Sequence, residues 1–185
     1  MLRGVLTLAA GLAAGPALAG CFTAEELPKA AVYDSGSVVE YMQLDGDVLT
    51  YKSDQVITRV KAGLWPLDHR AYDGSLVRYR WDSLQPDLAR VISMGGKARV
   101  EGRMQLGAAD WVPVVAEVQV LRQDSLDWED CRYEVVEFRK VIEAEGKKVS
   151  EAVVLYAPKA MIAFRTDAVE TGSGKVSSHR LTELR

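Results

Sequence analysis

Ala98-Arg-Val-Glu-Gly-Arg-Met-Gln-Leu106 and, after Gly107-Ala-Ala-Asp110, Val112-Pro-Val-Val-Ala-Glu-Val-Gln-Val120 are the two runs that decide the fold. In the first, Ala98, Val100, Gly102, Met104 and Leu106 face one way, and Arg99, Glu101, Arg103 and Gln105 face the other. In the second, Val112, Val114, Ala116, Val118 and Val120 share one face. Side chains alternate across a strand with a period of two. Both runs therefore read as antiparallel strands with one face on a core and one in water. Pro113 has no N–H for a ladder, which places the start of the second strand at a sheet edge.

The same punctuation continues on both sides. Ala30 to Tyr33, Val38 to Leu44, Val48 to Ser53 and Val56 to Lys61 read as strands, and Asp45-Gly46 is a hairpin turn that tolerates positive φ at both positions. Gly63-Leu-Trp-Pro-Leu67 interrupts the alternation as an edge, corner or loop, and Leu76 to Trp81 resumes it. Gln123 to Asp130 reads as an acidic loop. Cys131 to Ile142 and Ala152 to Pro158 form a long hairpin around Gly146. Its alternation slips at Val135-Val136, which means a bulge or burial of both faces. Met161 to Thr166 and Lys175 to Leu184 complete the strands. Thr23-Ala-Glu-Glu26 has capping-box spacing for one helical turn, and Pro86-Asp-Leu-Ala starts a short helix that Gly95-Gly96 ends. The expected fold is all-β: a single antiparallel meander of about nine or ten strands with one or two short helices, forming a barrel, half-barrel or sandwich.

Residues 1–20 read as a cleaved secretory signal and 21–185 as a single β domain. Arg3 precedes an apolar run from Gly4 to Ala14, Gly15-Pro16 breaks it, and Ala17-Leu-Ala19 supplies small residues for a signal peptidase. The run is shorter than the roughly 20 apolar residues a membrane helix needs. Leu18-Ala-Gly-Cys21 also matches a bacterial lipobox, in which Cys21 is acylated. Two fates of Cys21 thus stand open. Either it pairs with Cys131, the other cysteine of the chain, in an oxidising compartment, or it carries a lipid and fixes the protein to a membrane. The chain's formal charge is −3, and Arg3 is the only charged residue of the first twenty, so the remainder carries −4. That balance offers no basic patch for nucleic acid.

Catalytic patterns are sparse. His69, beside Asp68 and near Asp73, reads as a solvated loop histidine, and His179 in Ser177-Ser-His179 lies on the final strand. The two histidines and two cysteines lack zinc spacing, and Asp124, Asp127, Glu129 and Asp130 lack the order and glycine of a calcium loop. No catalytic residue, metal or cofactor is expected. If the sheet curves, Tyr79, Trp81, Trp111, Tyr133 and Tyr156 are the aromatics expected to line an apolar cavity.

Cys131-Arg-Tyr133-Glu-Val135, the turn glycine Gly146 and Tyr156-Ala-Pro158, with Gly63-Leu-Trp-Pro66 in the first half, resemble small exported envelope proteins of Gram-negative bacteria. More distantly, they resemble the half-barrel of periplasmic lipoprotein carriers. The resemblance implies a curved antiparallel sheet around an acyl chain, and no catalytic residue carries over from it. Carriers of that type lack a lipobox, so an acylated Cys21 implies a receptor or an anchored component instead. The functional expectation is a non-enzymatic envelope protein, soluble in the periplasm, holding a hydrophobic or lipid-like ligand. The alternatives are a structural or interaction module without a cavity, and a hydrolase with an unrecognised site.

Overall fold

The computed structural model describes residues 21–185. The leader reading of residues 1–20 lies outside the described residues. Twelve strands follow in order: β1 (Ala30–Tyr33), β2 (Val38–Asp45), β3 (Val48–Ser53), β4 (Val56–Lys61), β5 (Trp65–Ala71) and β6 (Leu76–Trp81), then β7 (Lys97–Leu106), β8 (Val112–Trp128), β9 (Cys131–Ala144), β10 (Lys147–Ala157), β11 (Ile162–Val169) and β12 (Val176–Leu184). One helix, α1 (Leu88–Ser93), lies between β6 and β7. Every strand pairs antiparallel with the next, and β12 returns to pair with β1, with Ala31 opposite Leu184. The fold is a closed up-and-down barrel, which removes every free edge.

The deciding runs form β7 and β8, in register from Lys97 opposite Gln119 to Met104 opposite Val112. Ala98, Val100, Met104, Val114, Ala116 and Val118 are buried, whereas Leu106 is exposed at the strand end. Pro113 does not mark an edge. It pairs with Arg103, and its carbonyl accepts from the Glu145 N–H (3.1 Å), so both sides are occupied. Its place next to the strand's first residue is what makes it tolerable.

Three further expectations are corrected. Of the expected loop Gln123 to Asp130 only Glu129-Asp130 is a turn, because β8 runs on to Trp128 and pairs with β9 down to Trp128 opposite Cys131. Trp65 to Ala71 is strand β5, with Pro66 accommodated opposite Val60 at a register shift. Thr23–Glu26 is a turn without helix, closed by the Glu26 N–H to the Thr23 carbonyl (3.1 Å). These account for twelve strands and one helix. At Val135-Val136 the register with β8 is continuous and both residues are buried, in different clusters; the irregularity lies on β8 between Val120 and Arg122.

Charged residues cover the outer wall. Arg99 pairs with Glu117 (2.6 Å), Arg122 with Glu137 (2.8 Å), and Arg139 with Glu151 across adjacent strands. A barrel that spans a bilayer carries an apolar outer band and a polar lumen. Here the arrangement is inverted, with aliphatic side chains inside and ion pairs outside.

Eight strands close around a space that side chains can fill, and the interior widens as strands are added. Twelve leave more room than side chains alone occupy. On one side the chain supplies a plug. Leu88 and Val91 of α1 pack with Trp65 and the inward residues of β7 and β8, and the Trp65 indole N–H bonds the Pro86 carbonyl (2.7 Å). Asp87 caps α1 by accepting from the Arg90 N–H (2.8 Å).

Candidate functional site

Among the described residues nothing plugs the other side. A cavity of about 480 Å³ is walled by residues of β1–β4 and β9–β12, and none of its lining comes from α1 or β5–β8. Strand direction orients it. Ser37, Ser53 and Asp54 lie at the β1–β2 and β3–β4 turns, at the same end as the β9–β10 and β11–β12 turns, and form the polar mouth with His179. Gly63, at the β4–β5 turn, and Met161, at the β10–β11 turn, lie at the opposite end and form the floor. Between them the wall carries Val39, Leu49, Val60 and Val154, interleaved with Tyr33, Tyr41, Tyr51 and Tyr156.

The floor is tightly built. The Tyr156 hydroxyl donates to Met161 Sδ (3.1 Å), and its ring meets Phe138 edge-on at 6.3 Å. Gly63 has φ +69°, and a Cβ there would collide with the Tyr156 ring and hydroxyl. Gly63-Leu-Trp-Pro66 and Tyr156-Ala-Pro158, distant in sequence, therefore meet at the closed end of the cavity. Burial raises the pKa of all four wall tyrosines above the ordinary phenol value, so they stay neutral hydroxyls at physiological pH.

Among the described residues, one charged side chain lines the cavity below its mouth. Lys140 lines the cavity, and its ammonium donates to the Leu64 carbonyl (3.2 Å). Some of its surface stays accessible because the cavity admits solvent, yet desolvation pulls its pKa from 10.5 to about 8. Among the described residues no carboxylate pairs with it. His69 is near it. The sequence reading made His69 a solvated loop residue; the structure corrects this, because β5 is a paired strand that turns the ring inward. Its Nδ1 lies 3.0 Å from Thr58 Oγ1, and its ring meets Tyr79 edge-on at 5.8 Å. Burial first, and then the Lys140 charge, lower its pKa, while Asp68 opposes them. His179 Nδ1 lies 2.8 Å from Ser35 Oγ at the rim. Among the described residues neither histidine is hydrogen-bonded to a carboxylate.

The five aromatics singled out from sequence are dispersed. Tyr156 stands on the cavity wall. Tyr79 stacks on Trp81 (5.7 Å), and Trp81 abuts Trp65 in the plugged half, where Gly102 leaves space for the indole. Trp111 lies under the Arg80 guanidinium (4.5 Å), on the side that Arg78 and Arg80 present to water. Tyr133 packs on Phe164 (5.2 Å) in a second cluster with Phe22, and its hydroxyl accepts from the Phe22 N–H (3.3 Å). There Cys21 and Cys131 are joined in a disulfide with Cα atoms 5.5 Å apart, a separation that bridged cysteines commonly show. Lys140 was missed by the sequence reading, though a signal existed. On the face shared by Val136, Phe138 and Ile142, it is the one polar residue.

No family model matches the chain, and no curated protein matches it. Among solved structures, the chain is similar to the hypothetical lipoprotein YmcC from Escherichia coli K12, with a TM-score of 0.52 and 9% sequence identity. The match covers 85% of this chain and 88% of that one. It is a likeness of fold.

Proposed function

We propose that the protein is a non-enzymatic binding protein of the cell envelope that holds an apolar small molecule in the open half of its barrel. The observation that carries this reading is the cavity of about 480 Å³, walled by aliphatic and tyrosine side chains where the described residues supply no plug. Its size falls in the range of small-molecule sites, which combine apolar walls with a few placed polar groups. Absence of a histidine–carboxylate pair among the described residues supports binding over hydrolysis. The leader-like first residues and the Cys21–Cys131 bridge support an oxidising compartment outside the cytoplasm. A sulfur held in a disulfide has no thiolate to accept a lipid, which supports the unanchored form.

The test of binding uses N-phenylnaphthylamine, a neutral probe that brightens in apolar sites. Wild-type protein should take up about one probe per chain. Val154→Trp, which fills the cavity, should abolish uptake while leaving circular dichroism and the melting temperature near wild type. No uptake by folded wild type, or equal uptake by the variant, would overturn the reading. Localisation is checked by intact mass of the exported protein: a bridged chain is two hydrogens lighter than its reduced form, whereas a diacylglyceryl adduct on Cys21 would contradict release into the periplasm.

A further inference from the structure

We propose that the occupant of the cavity is an apolar carboxylic acid whose carboxylate pairs with Lys140 and whose hydrocarbon part lies along Val39, Leu49, Val60 and Val154. This rests on the binding role proposed above and adds to it the chemical class of the ligand.

Geometry supplies the argument. Lys140 stands on an inward face otherwise made of Val136, Phe138 and Ile142, in the middle of the longest hairpin of the barrel. An ammonium has three N–H donors and no acceptor. One is used on the Leu64 carbonyl, and that neutral acceptor does not balance the charge. Arg139 and Glu137, the charged residues that precede Lys140 on β9's outward face, are committed to partners on the outer wall. Methionine or leucine would fill the same place without burying a charge, so packing gives no reason for lysine here. An entering anion would supply the missing counter-charge, and its hydrocarbon part would displace the solvent that screens the pair. The hydroxyls of Thr58 and Tyr51 lie on the cavity wall, with His69 hydrogen-bonded to Thr58 behind it, and they offer further hydrogen bonds to the second carboxylate oxygen. The aliphatic wall leaves the remaining part of the ligand apolar.

The experiment displaces N-phenylnaphthylamine from the bridged protein with three probes of equal chain length: laurate, dodecanol and dodecylammonium. Laurate should displace it at a concentration about tenfold or more below dodecanol, since uncoupling a buried charge pair weakens binding by at least that factor. Dodecylammonium should be the weakest. Lys140→Met, and Lys140→Gln as a polar control, should erase the preference for laurate and keep dodecanol binding within about threefold of wild type. Equal displacement by laurate and dodecanol in wild type, or a preference for laurate that survives both substitutions, would overturn the carboxylate assignment and leave the cavity reading intact. Failure of all three probes to enter folded wild type would overturn both.

Discussion

The two halves of this barrel are made alike and filled differently. Around β7 and β8 the inward positions carry small residues, Ala98, Val100, Ala116 and Val118, and the chain covers them with Leu88, Val91 and the indole of Trp65. Around β10 and β11 the inward positions are equally small, Ala152, Val154 and Ala163, and among the described residues no segment covers them. Small inward residues therefore do not make the cavity by themselves. The difference is the fifteen-residue connection from Asp82 to Gly96, which delivers a helix to one side only. On the function proposed above, the open half is space kept for a ligand.

Substitutions sharpen the contrast, beginning with the feature common to both halves. The disulfide spans 110 residues and ties the N-terminal segment to β9. Replacing both cysteines with serine should lower stability by about 4–5 kcal/mol in the chain-entropy view. Denaturant midpoints under non-reducing conditions measure this, and a change below about 1 kcal/mol would remove the bridge from the account. Within the plugged half, Trp65→Ala should cost about 3–5 kcal/mol, because a fully buried indole is lost and its bond to Pro86 with it.

Lys140→Met should act in the opposite direction. The lysine titrates at about 8 in the folded protein and at 10.5 when exposed. Below pH 8 it is charged in both states, and the full burial cost applies, about 3 kcal/mol. Between about pH 8 and 10.5 the unfolded chain binds the extra proton, so wild-type stability rises with pH across that window. Lys140→Met should therefore be more stable than wild type at pH 7 by up to about 3 kcal/mol, with the gain shrinking from pH 8 upward. The wall tyrosines, whose pKa is raised by burial, begin to lower stability only above about pH 10, outside most of that window. Urea melts of both proteins at pH 7 and 9.5 decide it; a gain that does not change with pH would contradict the buried charge.

The smallest effects separate the halves most cleanly. Ala116→Leu inserts bulk beneath the plug and should cost about 1–3 kcal/mol, while Ala152→Leu projects into the cavity and should stay within about 1 kcal/mol of wild type. Similar costs at both positions would mean that the halves are packed alike.

What was legible in the sequence follows from how each strand meets water. The runs at Ala98 and Val112 were readable because one face is buried and the other solvated, so hydrophobicity alternates cleanly. Strand β5 was hidden by Pro66 and by His69, a polar residue turned inward. The far half of β8 was hidden because a bulge at Leu121 resets its register and its acidic residues imitate a loop. The cavity was anticipated from aromatics, yet tryptophans mostly went where bulk was needed, in the plug and under Arg80. Closure by β12 on β1 depends on accumulated twist and strand count, which no local pattern carries. Lys140 was visible only as a break in an apolar face, and that signal needs the strand's inward side to be known first.

The most direct test of the central claim is a methyl spectrum of isotope-labelled, bridged protein with and without saturating dodecanol. Val39, Leu49, Val60 and Val154 should shift on binding, while Val91, Val100 and Val114 in the plugged half stay fixed. Unchanged spectra, or shifts spread evenly over both halves, would contradict a barrel built to be filled on one side by its own chain and on the other by a ligand.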